Sequence, residues 1–400
     1  MFMACFVWVR NMVTSDKRSR ALFYALGVST ATGGPPLVVL SLILIDVAES
    51  LNVEVGVLGQ VSSFSSFISI IVAVLMGILA VRYRHKLLLS LGLGLMCVSV
   101  IGTSSSFNLV SFMVLFSLSG MGYSMVMPMV NTFVGEIYPA EGRTKVVGNM
   151  IAVRSIVSFL APLVTGYVVS LSNWRIGYAS FNLTLTVISL ALVLMALPQG
   201  KVESVSNPNQ LEGIRGVLRN GSAVAYLLAA ALAFTPFVGI QVFNGSYLRQ
   251  HFALPVRTVS QVMPLVAIAV TAGLLTSNRY VEWIGLKKTV YLSTFLSSIA
   301  FLVYFGAGLS LAPAVACSMI GSYLTGVWLA STGALSLLQE TVYRGSMMSL
   351  GTAASSLGGV LGSLVGGYAL IGFGYLGLGA VTGLMGLAAT LIYSLWVRRE

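Results

Sequence analysis

The chain has 400 residues, of which 57% are hydrophobic and only 8% charged, with a mean hydropathy of +0.93 and a formal net charge of +11. Soluble domains carry about 25% charged residues, so a water-facing surface for a chain of this length cannot be built, which excludes disorder, soluble enzymes and nucleic-acid-binding domains. Cys5, Cys97 and Cys317 stand in apolar surroundings without metal or redox spacing, so they read as packing residues and no disulfide framework is expected.

A helix needs about 20 apolar residues to cross a hydrocarbon core of roughly 30 Å. Divided at its charges and at its Gly, Pro and Asn clusters, the chain yields twelve segments with cores at 21–45, 55–80, 87–105, 108–134, 147–170, 176–197, 221–247, 257–277, 288–308, 311–338, 346–370 and 375–397. Each is a continuous apolar run rather than a ten-residue alternation, which predicts an all-α bundle of twelve transmembrane helices instead of a barrel. The leader Met1 to Arg10 is too short for a signal sequence and reads as an ordinary tail.

Lys and Arg sort by loop. One side collects Arg10, Lys17, Arg18, Arg20, Arg82, Arg84, Lys86, Arg143, Lys145, Lys201, Arg215, Arg219, Arg279, Lys287, Lys288, Arg344, Arg398 and Arg399, which is 18 of the 22. The other side keeps Arg175, Arg249 and Arg257, and Arg154 lies inside a span. The basic side is therefore expected to be cytoplasmic, with both termini there, in a multi-pass protein of the cytoplasmic membrane.

The long polar stretch 199–220 separates six spans from six, giving an expected N-terminal half (1–198), a cytoplasmic linker and a C-terminal half (221–400). The halves are alike: an offset of 201 pairs Arg143 with Arg344 and Gly166-Tyr167 with Gly367-Tyr368. A six-span unit repeated in parallel is one architecture in which a substrate site lies between the repeats near the midplane.

The loop after span 2, with Gly77, Leu79, Ala80, Arg82, Arg84 and Lys86, resembles the Gly-x-Leu-Ala-Asp-Arg-x-Gly-Arg-Lys signature of the major facilitator superfamily of secondary transporters. A degenerate copy follows at Gly273, Leu275, Asn278, Arg279, Gly285, Lys287 and Lys288. Glu136 to Arg143, and Asn173-Trp174-Arg175, resemble the family's approaches to spans 5 and 6. The resemblance covers nearly the whole chain and implies two six-helix halves that rock about a central site, acting as a monomer. It places the chain near the drug and sugar efflux groups. In the family the loop's Asp helps latch the cytoplasmic gate, but here its position holds Val81. Pro162 and Gly166 match part of the span 5 element of drug:proton antiporters, whereas Phe116 and Ser119 stand where that branch has an Arg and a Gln before Gly120. The resemblance assigns gating or coupling to Gly77, Arg82, Arg84, Lys86, Arg143, Pro162, Arg279 and Arg344. The bland alternative for the loop arginines is that they only orient the protein.

Charge inside the membrane is costly and usually functional. Arg154 lies nine residues past Lys145, roughly 13 Å into the membrane at 1.5 Å per residue, as either a substrate-facing cation or a structural arginine on a buried partner. Asp46 follows a predicted break at Gly33-Gly34-Pro35-Pro36 and sits near the outer mouth with Glu49 and Glu54, as a solvated edge or a proton site. Glu136, Glu282 and Glu340 fall at cytoplasmic span ends, and His85 and His251 in loops. No acid or histidine occupies the midplane, so an arginine there favours an anionic or polar neutral solute, because guanidinium binds carboxylate or phosphate through paired hydrogen bonds.

By resemblance, spans 1, 4, 7 and 10 line the cavity. That nominates Thr32 on span 1, Tyr123 and Asn131 on span 4, Gln241, Asn244 and Tyr247 on span 7, and Tyr323 and Trp328 on span 10 as substrate-binding, with interhelical packing as the alternative for each aromatic. The expected function is secondary active transport of a small organic solute, with export implied by the resemblance. Two alternatives stand beside it: proton-coupled multidrug efflux using Asp46, and a membrane receptor without transport. The expected partners are the solute, membrane lipid and a possible coupling proton. No nucleic acid, cofactor or metal is expected, nor is an enzyme, since no catalytic cluster or phosphate loop appears.

Overall fold

The computed structural model describes residues 17–138, 140–198, 210–340 and 343–398. Among these, eleven helices are long and apolar enough to cross a membrane. The last is Arg344–Leu395, whose 52 residues would reach about 78 Å, far beyond one bilayer. Gly374, at φ 65° and ψ −162°, breaks it into spans 11 and 12 in a conformation that glycine adopts without penalty. The result is an all-helical bundle of twelve crossings.

Span 1 is Lys17–Ala31 continued by Pro35–Leu51, interrupted at the expected break; Pro35 opens the second piece, where its missing N–H costs nothing. Span 2 is Val55–Gly59 with Val61–Arg82, span 3 His85–Ser104, span 4 Leu109–Ile137, span 5 Ala140–Leu171 and span 6 Trp174–Ala196. A short helix, Gln210–Arg219, leads to span 7 (Gly221–His251), span 8 (Val256–Ile284), span 9 (Leu286–Gly306) and span 10 (Leu311–Gln339). Asn108, Asn173 and Asn220 begin spans 4, 6 and 7 because their side chains accept the first orphan backbone N–H groups.

Two lysines close helix ends in matching places. Lys86 Nζ donates to the carbonyls of Leu194 and Leu197 at the end of span 6, at 2.8 and 2.7 Å. Lys287 Nζ donates to the carbonyls of Ser394 and Val397 at the end of span 12. Cations at helix C-termini meet unsatisfied carbonyls and the negative end of the helix dipole. At the opposite end Arg175 lies over Trp174 and donates to the carbonyls of Ser104 and Ser106, tying the start of span 6 to the span 3–4 loop.

The apolar core is arranged unequally along the membrane normal. At the end bearing Asp46 and Arg249, one cluster runs through both sets of spans, from Val39, Ile43 and Leu58 to Val242, Phe243 and Val259. At the end bearing Arg82, Arg219 and Arg398, called here the basic end, the core is two separate clusters. One, with Leu26, Met76, Met96 and Phe133, belongs to the first six spans; the other, with Val217, Tyr226, Trp328 and Tyr393, to the last six. Among the described residues, the apolar core runs across the halves at the distal end and is divided between them at the basic end.

Candidate functional site

The distal closure is made where backbones touch. Gly245 of span 7 crosses span 1 so closely that a Cβ there would lie 2.1 Å from the Ser41 carbonyl oxygen, and its N–H donates to Ser41 Oγ at 3.1 Å. Gly56 and Gly367 bring spans 2 and 11 together in the same way, and further along the two spans the Ser63 and Ser363 hydroxyls bond at 2.6 Å. Spans 5 and 8 meet at Gly166 and Ser260, and again nearer the middle where Thr271 Oγ1 donates to Ser155 Oγ at 2.9 Å. Asp46 and Arg249 lock the same region with an ion pair between spans 1 and 7.

Toward the basic end the same helix faces come apart. On span 5, Val153 packs against Gly27 of span 1 and Ser155 bonds span 8. Arg154, between them, is exposed. Its face of the helix reads Val147, Ile151 and Arg154, all exposed, and continues distally as Ala161 and Thr165, both fully buried. A face buried at one end and exposed at the other marks a vestibule open at the basic end. Arg154 stands at its inner part, and among the described residues it forms no ion pair. Gln241, half-buried, lies one turn inward from Gly245 on the face of span 7 that meets span 1.

The other expected substrate residues are placed elsewhere. Asn244 is buried with its Oδ1 accepting the Tyr304 hydroxyl at 2.5 Å, and the Tyr247 hydroxyl donates to the Tyr304 carbonyl at 2.9 Å, so both point toward span 9 inside the second set. Trp328 is buried beside Phe234 in that set's basic-end core. Thr32 donates to the Ser29 carbonyl and contacts Met96 sulfur. The Tyr123 ring fills the space beside Gly33, where a Cβ would clash at 2.1 Å, and so seats the span 1 break. Asn131 is exposed toward the basic end of span 4. Tyr323 bonds Thr276 and Tyr280 of span 8. Amides and aromatics in spans need partners, and here most find them within their own half.

The gating residues divide similarly. Arg143 donates to the carbonyls of Gly135 and Tyr138 and so closes the span 4–5 corner of its own half. Lys86 is the helix cap described above, Pro162 is buried within span 5, and Arg82, Arg84 and Arg279 are exposed at the basic end. The surroundings of Gly77 and Arg344 lie outside the described residues.

Two pairings had no sequence signal. Asp46 is bound by Arg249 rather than left as a solvated edge, while Glu49 and Glu54 line a distal cavity of about 910 Å³. His85 is not in a loop but opens span 3, buried, with Nδ1 2.9 Å from Glu136 Oε1. His251 likewise ends span 7, its ring stacked on Tyr247. Partners 203 and 51 residues apart follow no periodicity, and only the fold joins them.

Comparison with known proteins agrees with this architecture. The sequence model of the Major Facilitator Superfamily matches residues 21–362. An uncharacterized MFS-type transporter of Bacillus subtilis (strain 168), YwfA, is 24% identical over 372 residues, covering 90% of this chain and 88% of the relative. The solved structure of a D-xylose-proton symporter superposes with a TM-score of 0.79 at 16% identity, covering 95% of this chain and 98% of that one. That of the nucleoside transporter NupG superposes with 0.77 at 14% identity, covering 96% and 100%. The chain belongs to the Major Facilitator Superfamily, a family of membrane transporters and not of enzymes.

Proposed function

We propose that the protein is a secondary active transporter that moves a small organic anion, or a polar neutral solute, across the cytoplasmic membrane by alternating access. The observation that carries this reading is Arg154, a guanidinium exposed in the vestibule between the halves with no carboxylate paired to it among the described residues. A guanidinium there gains most from a carboxylate or phosphate, which can accept two parallel N–H bonds. Gln241 supplies a further polar group on the facing half, and Asn131 is exposed toward the basic end of span 4.

The basic end is assigned to the cytoplasm on the distribution of Lys and Arg, so the state described is open inward. The halves 1–198 and 221–400, joined by the 199–220 linker, rock as units. Turning outward requires the Asp46–Arg249, Ser41–Gly245 and Ser63–Ser363 contacts to break while the basic ends approach, with Arg82, Arg84, Arg143 and Arg344 at that gate. We assign export as the direction on the span 5 element around Pro162. Asp46 is the group that could couple a proton, because neutralising it removes the distal ion pair; this keeps proton-coupled drug efflux as the second reading.

The test is flux in proteoliposomes loaded with carboxylates, sugar phosphates, neutral sugars or organic cations. Counterflow of an anion that falls at least tenfold in Arg154→Ala supports the proposal. Cation flux unaffected by Arg154→Ala but abolished by Asp46→Asn would establish the drug-efflux reading instead, and binding without flux would indicate a receptor.

A further inference from the structure

Between spans 8 and 10, at the basic end, lies a second cavity, of about 340 Å³, lined by Thr276, Arg279, Tyr280, Trp283 and Tyr323. It belongs to a different face of the protein from the vestibule. On span 8, positions 268, 272, 275, 279 and 283 fall on one side of the helix by their spacing of three and four. Ile268, Leu275 and Trp283 on this side are exposed from the middle of the span to its end, Leu275 to 78% and Trp283 to 81%. Ile320, three residues before Tyr323 on span 10, is exposed as well. The vestibule face of span 5 is buried distally and opens only toward the basic end. A face that stays exposed and apolar into the middle of a span, and whose Arg279 and Trp283 are turned roughly 80° and 120° round the helix from the span 5 crossing at Thr271, is turned to the bilayer.

The cavity's polar groups are arranged in order. Thr276 Oγ1 uses its one proton on the Ala272 carbonyl at 2.8 Å, so it accepts from the Tyr323 hydroxyl at 2.8 Å, which in turn accepts from Tyr280 at 3.0 Å. The Tyr280 hydroxyl is the last link, and its proton is the one that can turn to a ligand without breaking the rest. Arg279 beside it is exposed and makes no ion pair among the described residues, not even with Glu282 one turn on. The indole of Trp283 adds an N–H donor at the level where tryptophan sits among lipid headgroups.

We propose that this groove binds the phosphate headgroup of an anionic phospholipid, with Arg279 and Tyr280 on the phosphate, Trp283 beside the glycerol, and the acyl chains along Leu275, Ile268 and Ile320. A soluble phosphate would meet the same donors but would leave the apolar strip uncovered; a lipid satisfies both at once. Basic pockets between helices at the cytoplasmic face suit such headgroups. The site is independent of the transported solute and would hold spans 8 and 10 together while the halves move.

The experiment uses the purified full-length protein in a neutral detergent, titrated with phosphatidylglycerol, phosphatidylcholine or inorganic phosphate while its melting temperature is followed, since a ligand of the folded state raises it. Phosphatidylglycerol is expected to stabilise more than phosphatidylcholine, with inorganic phosphate inert. Arg279→Gln should raise the half-saturating phosphatidylglycerol about tenfold, and Tyr280→Phe should raise it several-fold. Both positions are at least partly exposed, so the variants fold. Arg219→Gln, an equal charge change on an exposed residue at the same end, should leave the titration unchanged. Equal stabilisation by inorganic phosphate, or a phosphatidylglycerol titration that Arg279→Gln does not move, would overturn the proposal.

Discussion

Asp46 of span 1 and Arg249 of span 7 form a two-pronged ion pair in which Nη2 donates to Oδ1 at 3.0 Å and Nη1 donates to Oδ2. The side chains retain 26% and 16% exposure, so the pair is neither fully screened by water nor wholly desolvated. It joins the two sets of spans at the end where their cores are already continuous. Asp46→Asn should therefore weaken the distally closed state by about 1–2 kcal/mol, roughly tenfold in the open-to-closed ratio. The readout is the rate at which a membrane-impermeant thiol reagent labels Ser63→Cys in a cysteine-free background. The exchange Asp46→Arg with Arg249→Asp should recover part of the protection that either single change loses.

Gly245 tests whether close backbone approach holds that end. In a free helix, replacing glycine by alanine gains about 1 kcal/mol. Here the new Cβ would meet the Ser41 carbonyl oxygen at 2.1 Å, and this is backbone that cannot swing aside. The clash should win. Gly245→Val is expected to abolish transport and increase distal labelling, whereas Gly221→Ala, at a position with open space around it, should leave both unchanged.

Asn244 separates a packing role from a binding one. Its carbonyl accepts the fully buried Tyr304 hydroxyl. Asn244→Leu strands that hydroxyl and should cost about 1–3 kcal/mol of stability, while Tyr304→Phe on the same background should restore most of it. Solute affinity should stay within about twofold of the parent in the double variant, where a direct ligand would lose roughly tenfold or more.

Lys86 and Lys287 cap spans 6 and 12 by the same pair of carbonyl contacts. Each of Lys86→Met and Lys287→Met should lower stability by about 0.5–2 kcal/mol, measured by thermal melting. Because the sites lie in different halves, the two losses should add.

The helical spans were legible because a membrane demands long apolar runs, and the breaks at Gly33–Pro35 and Gly374 because glycine and proline mark them. Span 7 runs past the apolar segment 221–247 to His251, a turn that a charge at Arg249 hides in the sequence and that the pairing of Arg249 with Asp46 accommodates. The site was harder to see. Arg154 is conspicuous as a lone charge within a span. Asn244, Tyr247 and Trp328 carry the same polar and aromatic types as residues that line a cavity, and only the fold shows that they turn to neighbouring helices. Span 7 is buried over most of its circumference, so its pattern holds no polar stripe to tell the two apart.

The most direct measurement is thiol labelling of Ile151→Cys, one turn from Arg154 on the same face of span 5, in a variant lacking Cys5, Cys97 and Cys317. Applied from the basic side, the reagent should react rapidly, and organic anions such as a dicarboxylate or a sugar phosphate should slow it at least fivefold. That protection should vanish when Arg154→Ala is added. A cysteine at 151 that stays unreactive from the basic side would contradict the open vestibule, and protection by cations that persists without Arg154 would contradict the anion site.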